Sequence, residues 1–145
     1  MSSPELQAEM QEFADGAVKI AADSYNVTLD YSEASVERVE GILDEMYKEM
    51  PKGAGRDEEV EQAMGTAAVL FGAYIGEVMR RTWGGTWDRG PVDDAADVII
   101  LRFHGQNMTF PPSKVYKRLS EGPEDNVWHY FQFARKMWAT KGPTN

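Results

Sequence analysis

The residue most open to a chemical reading is Glu77, in the stretch GAYIGEVMRRTWGGTW at 72–87. It is the only charged side chain between Gln62 and Met79. A carboxylate in such a stretch is expected to be partly buried, and a buried carboxylate needs either a partner or a raised pKa. With a raised pKa it is a general base, or an anchoring carboxylate for a small ligand. With a partner it clamps a helix end to the strand that follows. Arg80 and Arg81 lie three and four residues on, so a helix brings either within reach, a pairing worth about 0.2–0.5 kcal/mol at an exposed position. Further donors are the indole N–H groups of Trp83 and Trp87, a tyrosine hydroxyl, Arg102 and the backbone N–H groups of a nearby loop. In the chemical reading Glu77, Tyr74, Trp87, Arg102 and His104 converge on one pocket. No second acid, nucleophile or base accompanies Glu77 in sequence, which favours the clamp.

The two histidines, His104 and His129, have no convincing partner ligand at i+3 or i+4, so no metal site is expected. His104 falls at a strand-to-turn junction and His129 at the edge of the last helix's apolar face. The chain has no cysteine, which removes disulfides, zinc–thiolate sites and thiol nucleophiles. There is no GxxxxGK[ST] loop, no GxGxxG after a strand, no HExxH, no GxSxG and no DxDxDG loop. No cofactor is therefore expected.

The elements that must position these residues follow from periodicity. Residues 4–25 place Leu6, Met10, Phe13, Ala17 and Ile20 or Ala21 on one face of an amphipathic helix opening at Pro4. Residues 26–31, NVTLDY, form a short extended connector or an edge strand. Ser32 caps a second helix with Val36, Val39, Leu43, Met46 and Met50 in a stripe that Pro51 ends. After the loop PKGAGRD, Asp57 caps a third helix over about 58–82, with an apolar stripe through Val60, Met64, Ala67, Phe71 and Val78. Small residues Gly65, Ala68, Gly72 and Gly76 run beside it. Three glycines inside one helix each cost about 1 kcal/mol against alanine, so another backbone or a sheet face must pack there.

Gly84 and Gly85 stop this helix, and an antiparallel meander follows at about 86–88, 97–103 and 107–110, with RGPVDDAAD as an irregular loop. DVIILRF (97–103) is the strongest strand, with both faces at least partly covered. Pro112 starts a short helix closed by Gly122, and Pro123, Glu124 and Asp125 open the last one. There Val127, Phe131, Ala134 and Trp138 line one face, with Trp128, Tyr130, Phe133 and Met137 beside them. The expected architecture is a single α+β domain over 1–145: three longer helices, the meander, then two helices.

Charge is spread unevenly. Residues 1–61 carry 16 acidic against 5 basic side chains, whereas 62–145 carry 8 against 10. An acidic half repels phosphate backbones, so nucleic-acid binding would rest on Lys114, Lys117, Arg118, Arg135 and Lys136 alone and is not expected. The acids are either solvated helix faces or a docking surface around Glu37, Glu40, Asp44 and Glu45. No run approaches the roughly 18–20 apolar residues that cross a bilayer, and the N-terminus lacks a signal-peptide pattern. A cytoplasmic protein without membrane association is the expectation.

Three segments, LDYSEASVERVEGIL (29–43), GAYIGEVMRRTWGGTW (72–87) and PPSKVYKRLSEGPED (111–125), carry a resemblance. Together they resemble a small, widespread bacterial family, a domain of unknown function with recurring LDyS, GaYlGEv, gG.W and P…V.KRl..G elements in this order. Asp30, Ser32, Glu77, Gly85 and Trp87 occupy its recurring positions. The resemblance implies no catalytic role. The first expectation is thus a non-enzymatic interaction domain that binds another, basic protein, for example an immunity or antidote protein facing a basic toxin. The alternatives are a small-molecule-binding domain or hydrolase around Glu77 and His104, and a self-associating homo-oligomer.

Overall fold

The computed structural model describes residues 3–92, 95–103 and 107–139. Helix α1 (Pro4–Tyr25) starts on Ser3, whose Oγ accepts the Leu6 N–H, and stops at Asn26 in the left-handed conformation. Leu6, Met10, Ala14, Ala17 and Ala21 are its buried face; Phe13 and Ile20, expected on that face, are only half-buried at its border. Residues 26–31 are an irregular connector rather than an edge strand, because Asn26 and Tyr31 both take positive φ angles (56° and 64°) and break any ladder. The second helix, α2 (Ser35–Glu49), begins two residues later than expected. Ala34 takes the N-cap position without a side-chain cap, and Ser32 instead opens the tight turn before it, its Oγ and carbonyl both accepting the Ser35 N–H.

Asp57 caps α3 (Glu58–Trp83) by accepting the Val60 N–H, as the sequence predicts. Every residue from Phe71 to Met79 is buried. The latter half of α3 is therefore a central helix covered all round, where the sequence pattern predicts an apolar stripe flanked by a second stripe of small residues. α1 packs on one side of it and α4 (Pro111–Glu121) on another, while α2 packs against α4 and α5 (Val127–Trp138). The glycine stripe has its neighbours: Gly72 faces the backbone of Pro111 and Pro112, and Gly76 faces the ring of Trp87.

The sheet has the order β1–β2–β3, antiparallel throughout, from β1 (Thr86–Val92), β2 (Ala95–Arg102) and β3 (Met108–Thr109). Both longer strands enter the stretch expected to be an irregular loop. Pro91 is tolerated because β1 is an edge strand whose register shifts between Gly90 and Val92, so a bulge absorbs the missing N–H. Adjacent residues Ile100 and Leu101 are both buried, so both faces of β2 are covered there. The final helix opens on Asn126, whose Oδ1 accepts the His129 N–H; Pro123–Asp125 form a separate 3-10 turn before it. Five helices and a small three-stranded antiparallel sheet among the described residues make this an α+β fold.

Candidate functional site

Glu77 lies in the last buried turns of α3, where the chain must reverse into β1. Gly84 and Gly85 make that reversal at φ angles of 90° and 120°, and it lays Trp87 back across Gly76. The carboxylate is completely inaccessible to solvent. Arg80 grips it with two hydrogen bonds, Nε to Oε2 at 2.9 Å and Nη2 to Oε1 at 3.0 Å. Trp87 donates its indole N–H to Oε2 at 2.8 Å, and Arg81 Nε lies 3.5 Å from Oε1. Helix end and strand start are thus pinned through one buried carboxylate, with both oxygens occupied by protein donors.

Burial pushes the Glu77 carboxyl up, but the hydrogen bonds from Arg80 and Trp87 and the charges of Arg80 and Arg81 outweigh it. The net effect holds the group below the ordinary glutamate value of 4.5. A depressed folded value means that the ionised form stabilises fully above the unfolded pKa and that this contribution is lost as pH falls through the folded one. The stability difference between the native protein and Glu77→Gln should therefore be largest near neutrality and narrow in acid. Thermal melts of both from about pH 7 to about pH 3 check this, and a constant difference would refute the ionised clamp.

The other members of the pocket reading are placed elsewhere. The Tyr74 hydroxyl turns to the Ser35 hydroxyl at 2.6 Å and accepts the Tyr31 N–H at 2.8 Å. Arg102 Nε pairs with Asp88 across the β1–β2 hairpin at 3.0 Å. Trp83 donates its indole N–H to Glu33, which also receives Arg135. His104 lies outside the described residues. Of the described members of that set, Trp87 alone reaches Glu77. His129 is exposed, and among the described residues no group of three His, Asp or Glu could hold a metal.

Asp30 and Ser32 also carry structural contacts. Asp30 accepts both the Ser32 N–H and its hydroxyl, which sets the turn through Ser32 into Ser35 and on to Tyr74. Tyr31 stacks near Tyr74 and lies beneath the Arg81 guanidinium, 3.6 Å from the ring centroid. Asp30, Ser32, Glu77 and Trp87 therefore belong to one set of contacts joining the start of α2, the end of α3 and the start of β1, while Gly85, in the reversal between α3 and β1, faces Phe103. Gln7 of α1 completes it by pairing its side-chain amide with both the N–H and the carbonyl of Trp87.

A second buried cluster corrects the charge reading. Arg118 is 1% exposed and is no part of a basic surface. Its Nε donates to both oxygens of Glu40 and its Nη2 to Asp44 at 2.7 Å, and Glu40 Oε1 also accepts the Val127 N–H that opens α5. Glu40 and Asp44 thus face inward from α2 and link α2, α4 and α5, whereas Glu37 and Glu45 remain exposed. The i, i+4 spacing of Glu40 and Asp44 places them on one face; nothing in the sequence says that a single arginine comes to both.

Comparison with protein-family models, with curated proteins and with solved structures finds no match. Among the described residues no helix is long and apolar enough to cross a membrane.

Proposed function

We propose that this chain is a protein-recognition domain whose acidic exterior engages a basic partner protein, with no chemistry of its own. An immunity or antidote role against a basic toxin is one concrete form. The observation that carries the reading is where the charges go. Five of the eight arginines pair with acids that the fold holds in place: Arg80 and Arg81 on Glu77, Arg118 on Glu40 and Asp44, Arg135 on Glu33, Arg102 on Asp88. Glu12, Glu37, Glu45, Glu49, Glu58 and Glu59 are exposed and meet no ion-pair partner among the described residues. The acid surplus of residues 1–61 is therefore an external field, of the kind that steers an oppositely charged partner.

Capture of partners on immobilised protein tests this. Bound proteins should be basic and should be released as salt rises from about 0.05 to about 0.5 M, where screening shortens to a few ångströms. Salt-indifferent binding, or none at low salt, would sink the proposal. Self-association is the second reading, favoured by Phe133 and Met137, which stand 62% and 38% exposed one turn apart on α5. Sedimentation at several salt concentrations separates the two, since a self-associating chain sediments as an oligomer without any partner.

A further inference from the structure

The docking site of the basic partner can be placed more closely. Between the end of α2 and the first half of α3 runs an open groove of about 340 Å³. Ala63 and Ala67, one turn apart on α3, form its floor; Met46, Met50 and Val60 form its walls. A floor of alanines lets a second backbone approach closely, and methionine walls adapt to the side chains brought in. Ala63 and Ala67 on one side and Met46 and Met50 on the other repeat every four residues. These rows are i, i+4 ridges of two helices, between which a third helix can seat its own ridges.

The rim fixes the chemistry of the occupant. Glu49 lines the groove; Glu45 stands one turn before it on α2, where it also lines a neighbouring groove beside Arg38, and Glu59 stands one turn before Ala63 on α3. All three are exposed, and no ion pair reaches any of them among the described residues. The nearest cations are engaged elsewhere, two of them on backbone carbonyls of the groove's own Met50 and Pro51. Lys48 pairs with Asp44, Lys52 donates to the carbonyls of Tyr47 and Met50, and Arg56 donates to those of Pro51 and Leu119. The neighbouring Tyr25 phenol registers this surplus: burial raises its pKa, and the charges of Glu49 and Glu45 raise it further. An anionic membrane surface would be repelled by the same rim.

We propose that this groove receives one amphipathic helix of the partner, its apolar stripe over Ala63 and Ala67 and its lysines or arginines against Glu45, Glu49 and Glu59. The proposal rests on the basic-partner reading above and adds the location and the shape of what binds.

The test uses the full chain with ¹³C-methyl-labelled methionines and a synthetic amphipathic helical peptide bearing leucines at i, i+4 and i+7 flanked by lysines. The Met46 and Met50 methyl signals should move on titration, while those of the buried Met10, Met64 and Met79 stay. Replacing Glu45, Glu49 and Glu59 together by glutamine should weaken binding at least tenfold. These exposed positions leave the melting temperature unchanged, which checks that the variant is folded. Shifts at Met137 with Met46 and Met50 silent would overturn the groove and leave the basic-partner reading standing. Equal binding of a peptide whose lysines are glutamines would overturn the charge reading and with it the stated occupant. No response to either peptide would overturn both.

Discussion

Gly76→Ala should lower the unfolding free energy by about 3 kcal/mol, roughly a 10 °C fall in melting temperature for a chain of this size. A Cβ at position 76 would lie 2.1 Å from Cη2 and 2.4 Å from Cζ2 of Trp87, well inside any real contact. The ring cannot slide away freely, because Trp87 is fully buried and its indole N–H is held on Glu77. Relief would require moving β1 off α3 or breaking that hydrogen bond. Gly65→Ala, on the same helix, has the opposite expected sign. Its Cβ would meet nothing within 4 Å, so alanine's better helix propensity adds about 1 kcal/mol. Guanidinium unfolding of both variants decides the matter, and a Gly76→Ala protein as stable as the native one would mean that Trp87 does not pack on α3.

The second large effect is expected at Arg118. Arg118→Ala removes the one cation shared by Glu40 and Asp44 and should cost about 3–5 kcal/mol, the usual penalty for breaking a buried pair from one side. Glu40 keeps its bond from the Val127 N–H and Asp44 its pair with Lys48, but Glu40 loses its counter-charge, so the junction of α2, α4 and α5 loosens together. Lysine lacks the planar fork that reaches both carboxylates, so Arg118→Lys should recover only part of the loss. The exposed neighbour Lys117→Ala should stay within about 0.5 kcal/mol of the native protein. Urea unfolding of the three variants measures this; a loss below about 1 kcal/mol for Arg118→Ala would show a cluster already solvated.

Much of the architecture was legible because it depends on local signals. Pro4, Asp57 and Gly122 mark helix ends by chemistry acting within four residues, and the 3-4 spacing of apolar side chains places the helices. The demand that something pack against Gly72 and Gly76 was also readable, since glycine in a helix is unfavourable without a close neighbour. Which neighbour it was depended on long-range packing, which no window of sequence contains. The same limit explains the misplaced charges. Glu40 and Asp44 have the spacing of a solvated helix face, and only the arrival of Arg118 from α4 turns them inward. Arg102 and Tyr74 were assigned to Glu77 by chemical type, whereas the hairpin register gives Arg102 to Asp88 and the start of α2 gives Tyr74 to Ser35. At Pro91, composition argued against a strand that an edge position with a bulge permits.

In the proposed reading Glu77 and the rim glutamates divide two roles: the buried carboxylate holds the α3–β1 junction, and the exposed ones would meet the partner. The most direct measurement of that division is the dissociation constant of the lysine-flanked amphipathic peptide for Glu77→Gln, taken well below the variant's own melting temperature and compared with the native protein. The expected result is a less stable protein with an unchanged constant, within about twofold. A variant as stable as the native protein whose affinity falls tenfold, about 1.4 kcal/mol, would place Glu77 in the recognition site and contradict the division.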